Sequence, residues 1–162
     1  MSSELRSLVR DVPDYPKPGI LFRDITPLLG DAEGLAATVD ALAAPYAEVE
    51  VDRVAGIEAR GFLLGPTIAT RLGAGFVPIR KEGKLPCEAA REEYELEYGQ
   101  AAIEVHRDAF GAGDRVLIFD DVLATGGTAE AACRMVESLG AQIVGLSFLV
   151  EIGPLGGRRR LQ

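Results

Sequence analysis

The run Val116-Leu117-Ile118-Phe119, followed at once by Asp120-Asp121, constrains this chain more than any other stretch of it. Four apolar residues without polar alternation fit a strand covered on both faces. Two carboxylates end it, and Val122-Leu123-Ala124-Thr125-Gly126-Gly127-Thr128 leads into helical spacing. There Ala129, Ala132, Val136 and Leu139 share one face, Glu130 stands four residues before Arg134, and Gly140 supplies a stop. Residues 143–150 read as a second buried strand. Strand, glycine turn, helix and strand together predict an α/β fold with a mainly parallel open sheet flanked by helices.

The upstream segments follow the same alternation. Leu35, Val39 and Leu42 predict a helix over 33–46, and residues 53–57 a short strand. A second helix is expected over 62–72, stopped by Gly73. Residues 76–80 read as a strand in which Pro78 marks an irregular or edge position. Residues 81–99 are charged, contain Gly83 and Pro86, and show no clean period, which predicts a mobile excursion. Strand-like residues 103–105 follow. At the other end, Leu5, Leu8 and Val9 predict a helix over 4–11. Pro13, Pro16, Pro18 and Gly19 then predict a stiff, extended connector. It reads as part of the fold rather than a Pro-x-x-Pro ligand, because apolar Ile20, Leu21 and Phe22 follow. Asp14 and Asp24 are read as structural, as caps or in salt bridges.

A length of 162 residues suits a single domain spanning 1–162. The formal net charge of −8 argues against nucleic acid and anionic membranes as partners. Arg158-Arg159-Arg160 has no aromatic platform beside it and reads as a solvated tail. No apolar run is long enough to cross a bilayer, and the first ten residues lack a signal core, so a cytoplasmic location is expected. Cys87 and Cys133 form no Cys-x-x-Cys pair, which excludes a disulfide framework or thiolate metal site. The single histidine, His106, reads as a surface or strand-end residue.

Parallel sheets bind ligands at the carboxyl ends of their strands. At such an end the 120–128 segment suits a sugar phosphate. Gly126 and Gly127 let backbone amides converge on an anion, Thr125 and Thr128 add hydroxyl donors, and the next helix presents its positive end. Asp120 and Asp121 would repel phosphate, but they suit ribose hydroxyls or the organisation of a magnesium ion. Other glycine motifs fail on context. No lysine precedes Thr128, as a Walker loop requires, and Gly73-Ala74-Gly75 and Gly111-Ala112-Gly113 precede strands instead of following them.

Residues 116–129 resemble the phosphoribosyl pyrophosphate-binding motif of type I phosphoribosyltransferases, in the wording of the adenine-using members. The resemblance extends along nearly the whole chain. Val12-Pro13-Asp14-Tyr15-Pro16-Lys17-Pro18-Gly19-Ile20-Leu21-Phe22-Arg23-Asp24-Ile25 is similar to their base-binding hood, placed here at about 1–30. Gly56-Ile57-Glu58-Ala59-Arg60-Gly61-Phe62 is similar to their pyrophosphate loop. Arg80-Lys81-Glu82-Gly83-Lys84-Leu85-Pro86 and Tyr94-Glu95-Leu96-Glu97-Tyr98-Gly99 resemble the two ends of a flexible lid over about 81–99. Cys87 and the residues up to Glu93 match no pattern.

The resemblance implies the type I phosphoribosyltransferase fold and transfer of a 5-phosphoribosyl group from phosphoribosyl pyrophosphate to adenine, giving AMP and pyrophosphate. It implies that Ala124, Thr125, Gly126, Gly127 and Thr128 hold the 5′-phosphate and that Asp120 and Asp121 hold the ribose. Arg60 and the backbone at Ala59 would face pyrophosphate, with charge added by Arg80, Lys81 and Lys84, across a dimer interface in similar enzymes. Phe22 and Val122 would sandwich adenine, Leu21 and Arg23 would read its edge through their backbone, and Glu97 beside Tyr98 would be the acid–base residue. Leucine is the family's commoner residue at Val122. Magnesium carried by the substrate, with no protein ligand assigned, and a homodimer are implied as well. Two alternatives stand beside this one. A phosphoribosyltransferase for another nucleobase is disfavoured by Ala124, where 6-oxopurine enzymes place aspartate. A non-catalytic sensor of phosphoribosyl pyrophosphate is disfavoured by the length, which leaves no room for a DNA-binding extension.

Overall fold

The structure, a computed structural model, describes residues 3–95 and 100–162, which fall into two compact units, residues 1–45 and 46–162.

In the first unit a short helix α1 (Ser3–Ser7) precedes strand β1 (Arg10–Pro13), which pairs antiparallel with β2 (Leu21–Asp24). The expected 4–11 helix is therefore cut short, because Arg10 to Pro13 satisfy their backbone across the hairpin. The proline connector, expected to run extended, is instead the hairpin's turn, closed because Asp14 accepts from the Gly19 amide at 2.7 Å with both residues at positive φ. Helix α2 (Thr26–Gly30) starts where Asp24 Oδ1 accepts from the Thr26 amide at 2.9 Å. Asp31 caps α3 (Ala32–Ala43), accepting from Gly34 at 2.7 Å. Asp14 thus holds the hairpin turn, and Asp24 accepts from Thr26 and lies 3.5 Å from Arg10 across the hairpin.

The second unit carries a six-stranded sheet. Its elements are β3 (Arg53–Ile57), α4 (Gly61–Leu72), β4 (Gly75–Lys81), β5 (Ala89–Glu95), β6 (Gln100–His106), β7 (Arg115–Leu123), α5 (Gly127–Ser138), β8 (Gln142–Glu151) and α6 (Gly157–Arg160). The strand order is β5-β6-β4-β3-β7-β8. The β4-β3-β7-β8 block is parallel, and β6 and β5 are added antiparallel. This is the mainly parallel α/β sheet expected.

Alternation decides which helix each strand residue meets. Ala55, Ile57, Val77, Ile79, Val116 and Ile118 join Ala131, Ala132, Met135 and Val136 of α5 in one buried cluster. The intervening Val54, Leu117 and Phe119 are also fully buried, on the face where α4 packs over β3, β4 and β7. There Gly56 and Gly65 make room for one ring. A Cβ on either would sit 2.6 Å from Phe76, which packs edge-on against Phe62.

Pro78 behaves as expected of an edge residue. The Glu58 amide donates to Ile79 O at 2.9 Å, so the Pro78 nitrogen faces away from β3. On that side β6 pairs with β4 at Arg80 and Lys81, beyond the proline.

The structure corrects two further expectations. Residues 89–95 form strand β5 instead of an irregular excursion. Its inward position Glu92 is polar because it pairs with Arg134 of α5 at 2.6 Å, and this broke the apolar period. The arginine-rich end is not a solvated tail: Arg158 pairs with Glu151, and Arg160 with Glu130. Among the described residues, no helix is long and apolar enough to cross a membrane.

Candidate active site

At the carboxyl end of β7, Asp120, Val122, Leu123, Ala124, Thr125, Gly126, Gly127, Thr128, Ala129 and Phe148 line a cavity of about 310 Å³, partly open to solvent. The chain makes this concavity because Gly126 adopts φ +83°, a left-handed turn directly before α5. The amides of the first helical turn have no intrahelical acceptors and lie at the positive end of a twelve-residue dipole. Such an end binds phosphate.

The adjacent carboxylates lie close enough to act on one another, and both feel the charge of Arg60. Asp120 lines the cavity. Asp121 is 4% exposed, and its Oδ2 lies 3.0 Å from Arg60 Nε. Among the described residues Oδ2 has no hydrogen-bond partner, so that approach is an ion pair without hydrogen-bond alignment. Burial, then the charge of Asp121, pushes the Asp120 carboxyl up to about 8. Burial also raises Asp121, against the pull of the Arg60 guanidinium. The Asp121 amide donates to Asp120 Oδ1 at 2.8 Å, which ties the pair together.

The 58–60 turn leaves β3 beside this pair and enters α4 at Gly61. A Cβ there would meet the Phe119 carbonyl at 3.1 Å, so glycine lets the turn approach β7 closely. The Glu58–Ala59 peptide bond is cis. Glu58 was read only as part of a motif, yet it organises the neighbouring cations. Its side chain, 9% exposed, pairs with Lys84, lies 3.4 Å from Arg80 Nε, and accepts from the Lys81 amide at 3.0 Å. Burial opposes its charge, but the hydrogen bonds from Lys84 and Lys81 and the charges of Lys84 and Arg80 outweigh it. The carboxyl therefore stays below its usual range.

The geometry thus brings Asp120, Val122, Ala124, Thr125, Gly126, Gly127 and Thr128 around one cavity, and Arg60 against Asp121. Arg80, Lys81 and Lys84 gather on Glu58. Phe22 lies on β2, half-buried, its ring 5.2 Å from Tyr15 and edge-on to it. Leu21 is 44% exposed, and Arg23 pairs with Asp11. Glu97 and Tyr98 lie outside the described residues. Among those described, no group of three or more His, Cys, Asp or Glu side chains is arranged to hold a metal ion.

A helix N-terminus able to take an anion, with a carboxylate beside it at a parallel strand's end, is an arrangement suited to a sugar phosphate in an α/β domain. The chain belongs to the phosphoribosyl transferase domain family, whose model matches residues 28–159. The adenine phosphoribosyltransferase of Acidothermus cellulolyticus is 60% identical over 153 residues, 94% of this chain and 86% of that one. The crystal structure of adenine phosphoribosyltransferase from Rhodothermus marinus is 55% identical, with TM-score 0.94, covering 98% of this chain and 90% of that one. The Saccharomyces cerevisiae enzyme, complexed with an imino-altritol bisphosphate and adenine, is 42% identical, with TM-score 0.94 over 98% of this chain and 93% of that one.

Proposed function

We infer that this protein is an adenine phosphoribosyltransferase, transferring the 5-phosphoribosyl group of phosphoribosyl pyrophosphate to adenine and releasing AMP and pyrophosphate. The observation that carries this reading is the coincidence of the cavity with the 120–129 turn. The similarity to adenine phosphoribosyltransferases over nearly the whole chain supports the choice of base.

In this reading the amides of residues 124–128 and the start of α5 take the 5′-phosphate. Asp120, from the cavity wall, accepts from the ribose hydroxyls, and Asp121 fixes Arg60 at the pyrophosphate side. Arg60, with Arg80, Lys81 and Lys84, stabilises charge gathering on the leaving pyrophosphate as the anomeric carbon becomes cationic. Magnesium is read as a counter-ion arriving with the substrate, with no protein ligand assigned to it. It would neutralise charge on the leaving group. Adenine attacks from the opposite face, and Glu97 accepts the proton from its glycosidic nitrogen. The roles of Phe22, Leu21 and Arg23 toward adenine, that of Tyr98 beside Glu97, the homodimer and the cytoplasmic location rest on the resemblance.

Incubation with adenine, phosphoribosyl pyrophosphate and magnesium tests this reading. AMP and pyrophosphate are expected in equal amounts, and pyrophosphate released without AMP would refute it.

A further inference from the structure

The arginine-rich end of the chain has no part in the chemistry above, yet it is packed against the cavity turn. The Ile152 amide donates to Leu123 O at 2.9 Å, and the Gly157 amide to Ala124 O at 3.1 Å. A Cβ on Gly157 would collide with that Ala124 oxygen and lie 2.9 Å from Leu123 Cδ1. A Cβ on Gly126 would meet the Gly157 carbonyl at 3.0 Å, so the two glycines allow backbone to rest on backbone. Arg160 Nε and Nη2 both reach Glu130 Oε2 in the first turn of α5, at 3.0 and 2.8 Å. Arg134 joins the same oxygen at 3.2 Å. Arg160 Nη1 lies 3.4 Å from where a Gly127 Cβ would stand.

We propose that α6 is a brace for the 5′-phosphate turn, with Gly157 and Arg160 as its positioning residues. The turn's amides bind an anion only while they converge, and a left-handed glycine gives them little stiffness of its own. The brace supplies it from two sides: the Gly157 amide fixes the Ala124 carbonyl, and Arg160 holds the first turn of α5 through Glu130. Because its Nε and Nη2 are both committed to Glu130, Arg160 acts through the turn instead of on the phosphate. The proposal rests on the reading of residues 124–128 as a phosphate site.

The experiment titrates ribose 5-phosphate and, separately, pyrophosphate into the full chain by calorimetry. Arg160→Gln should weaken ribose 5-phosphate about two- to fivefold, the range of a half-exposed ion pair. Arg160→Lys should restore part of the loss. Gly157→Ala should cost about tenfold or more, since displacing a positioned group by ~1 Å costs about 100-fold. Pyrophosphate binding should stay at its wild-type value in each. Arg158→Gln, which removes a pair to Glu151 and leaves the turn alone, should bind both ligands normally. Should Gly157→Ala fail to fold, Arg160→Gln still decides. Wild-type affinity for ribose 5-phosphate in the Arg160 and Gly157 variants, or equal losses for both ligands, would overturn the brace. A wild-type protein that does not bind ribose 5-phosphate would overturn the phosphate site itself, and the brace with it.

Discussion

Replacing Asp121 with asparagine separates catalysis from stability in a way the structure makes specific. The side chain is 5% exposed and faces Arg60 at 3.0 Å. Burial raises its pKa, so the folded protein disfavours its charge, and a neutral amide of the same shape relieves that cost. Arg60, 40% exposed, loses a partner but keeps its solvent, which limits the penalty to about 0–1 kcal/mol. The two effects oppose, so stability should change by less than about 1 kcal/mol and Tm by less than about 4 °C. Transition-state binding behaves differently. Misplacing a positioned group by ~1 Å costs about 100-fold, so an Arg60 no longer held by Asp121 should lower kcat/KM for the donor about 10- to 100-fold. Initial rates of AMP formation and a thermal melt on the same preparation check both halves. Wild-type kcat/KM would remove Asp121 from the site. Lost activity with a Tm lowered by more than about 8 °C would show a structural role instead.

With the Asp120 carboxyl at about 8 and ribose hydroxyls preferring the carboxylate, kcat/KM for the donor should climb about tenfold per pH unit below that value and level above it. Asp120→Asn should flatten the profile. The folded state keeps a proton there that the unfolded chain has lost, so this group's contribution to stability falls as pH rises from about 4 to about 8. Melts across that range of wild type against Asp120→Asn check the sign. Arg60→Lys keeps the charge but loses the planar fork, so pyrophosphate inhibition should weaken together with turnover; wild-type values of both would make Arg60 structural. Glu97→Gln should lose about 10²–10⁴-fold in rate with donor affinity near normal, while Glu95→Gln stays near wild type. Equal, small losses in both would remove Glu97 as the base.

The segment that organises the site was legible because its signals are contiguous. An apolar run, two acids, a glycine turn and a helical period lie within residues 116–139, and β7, the cavity and α5 follow in that order. What sequence reading missed depends on partners far along the chain. Strand β5 was hidden because Glu92 occupies an inward position satisfied by Arg134, 42 residues later. Arg160 looked like a solvated charge because Glu130 lies 30 residues before it. Glu58 looked like a motif letter until the β3–β4 pairing brought Lys81 and Lys84 to it. The neighbours Asp120 and Asp121 read as equivalent, and only the fold tells them apart: Asp120 lines the cavity, and Asp121 is buried against Arg60.

The central claim is the transfer of phosphoribose to adenine, and a competition assay tests it most directly. Adenine, hypoxanthine and guanine are supplied at equal concentration with limiting phosphoribosyl pyrophosphate and magnesium, and the three nucleotides are quantified. The Ala124 side chain offers neither acceptor nor charge at the position where the family resemblance puts the aspartate of 6-oxopurine enzymes, and a site built on fixed hydrogen bonds rejects an analogue lacking them by up to about 10⁴-fold. AMP should exceed IMP and GMP at least about a hundredfold, a lower bound within that range. Comparable IMP or GMP would contradict the choice of adenine, and no nucleotide at all would contradict the account as a whole.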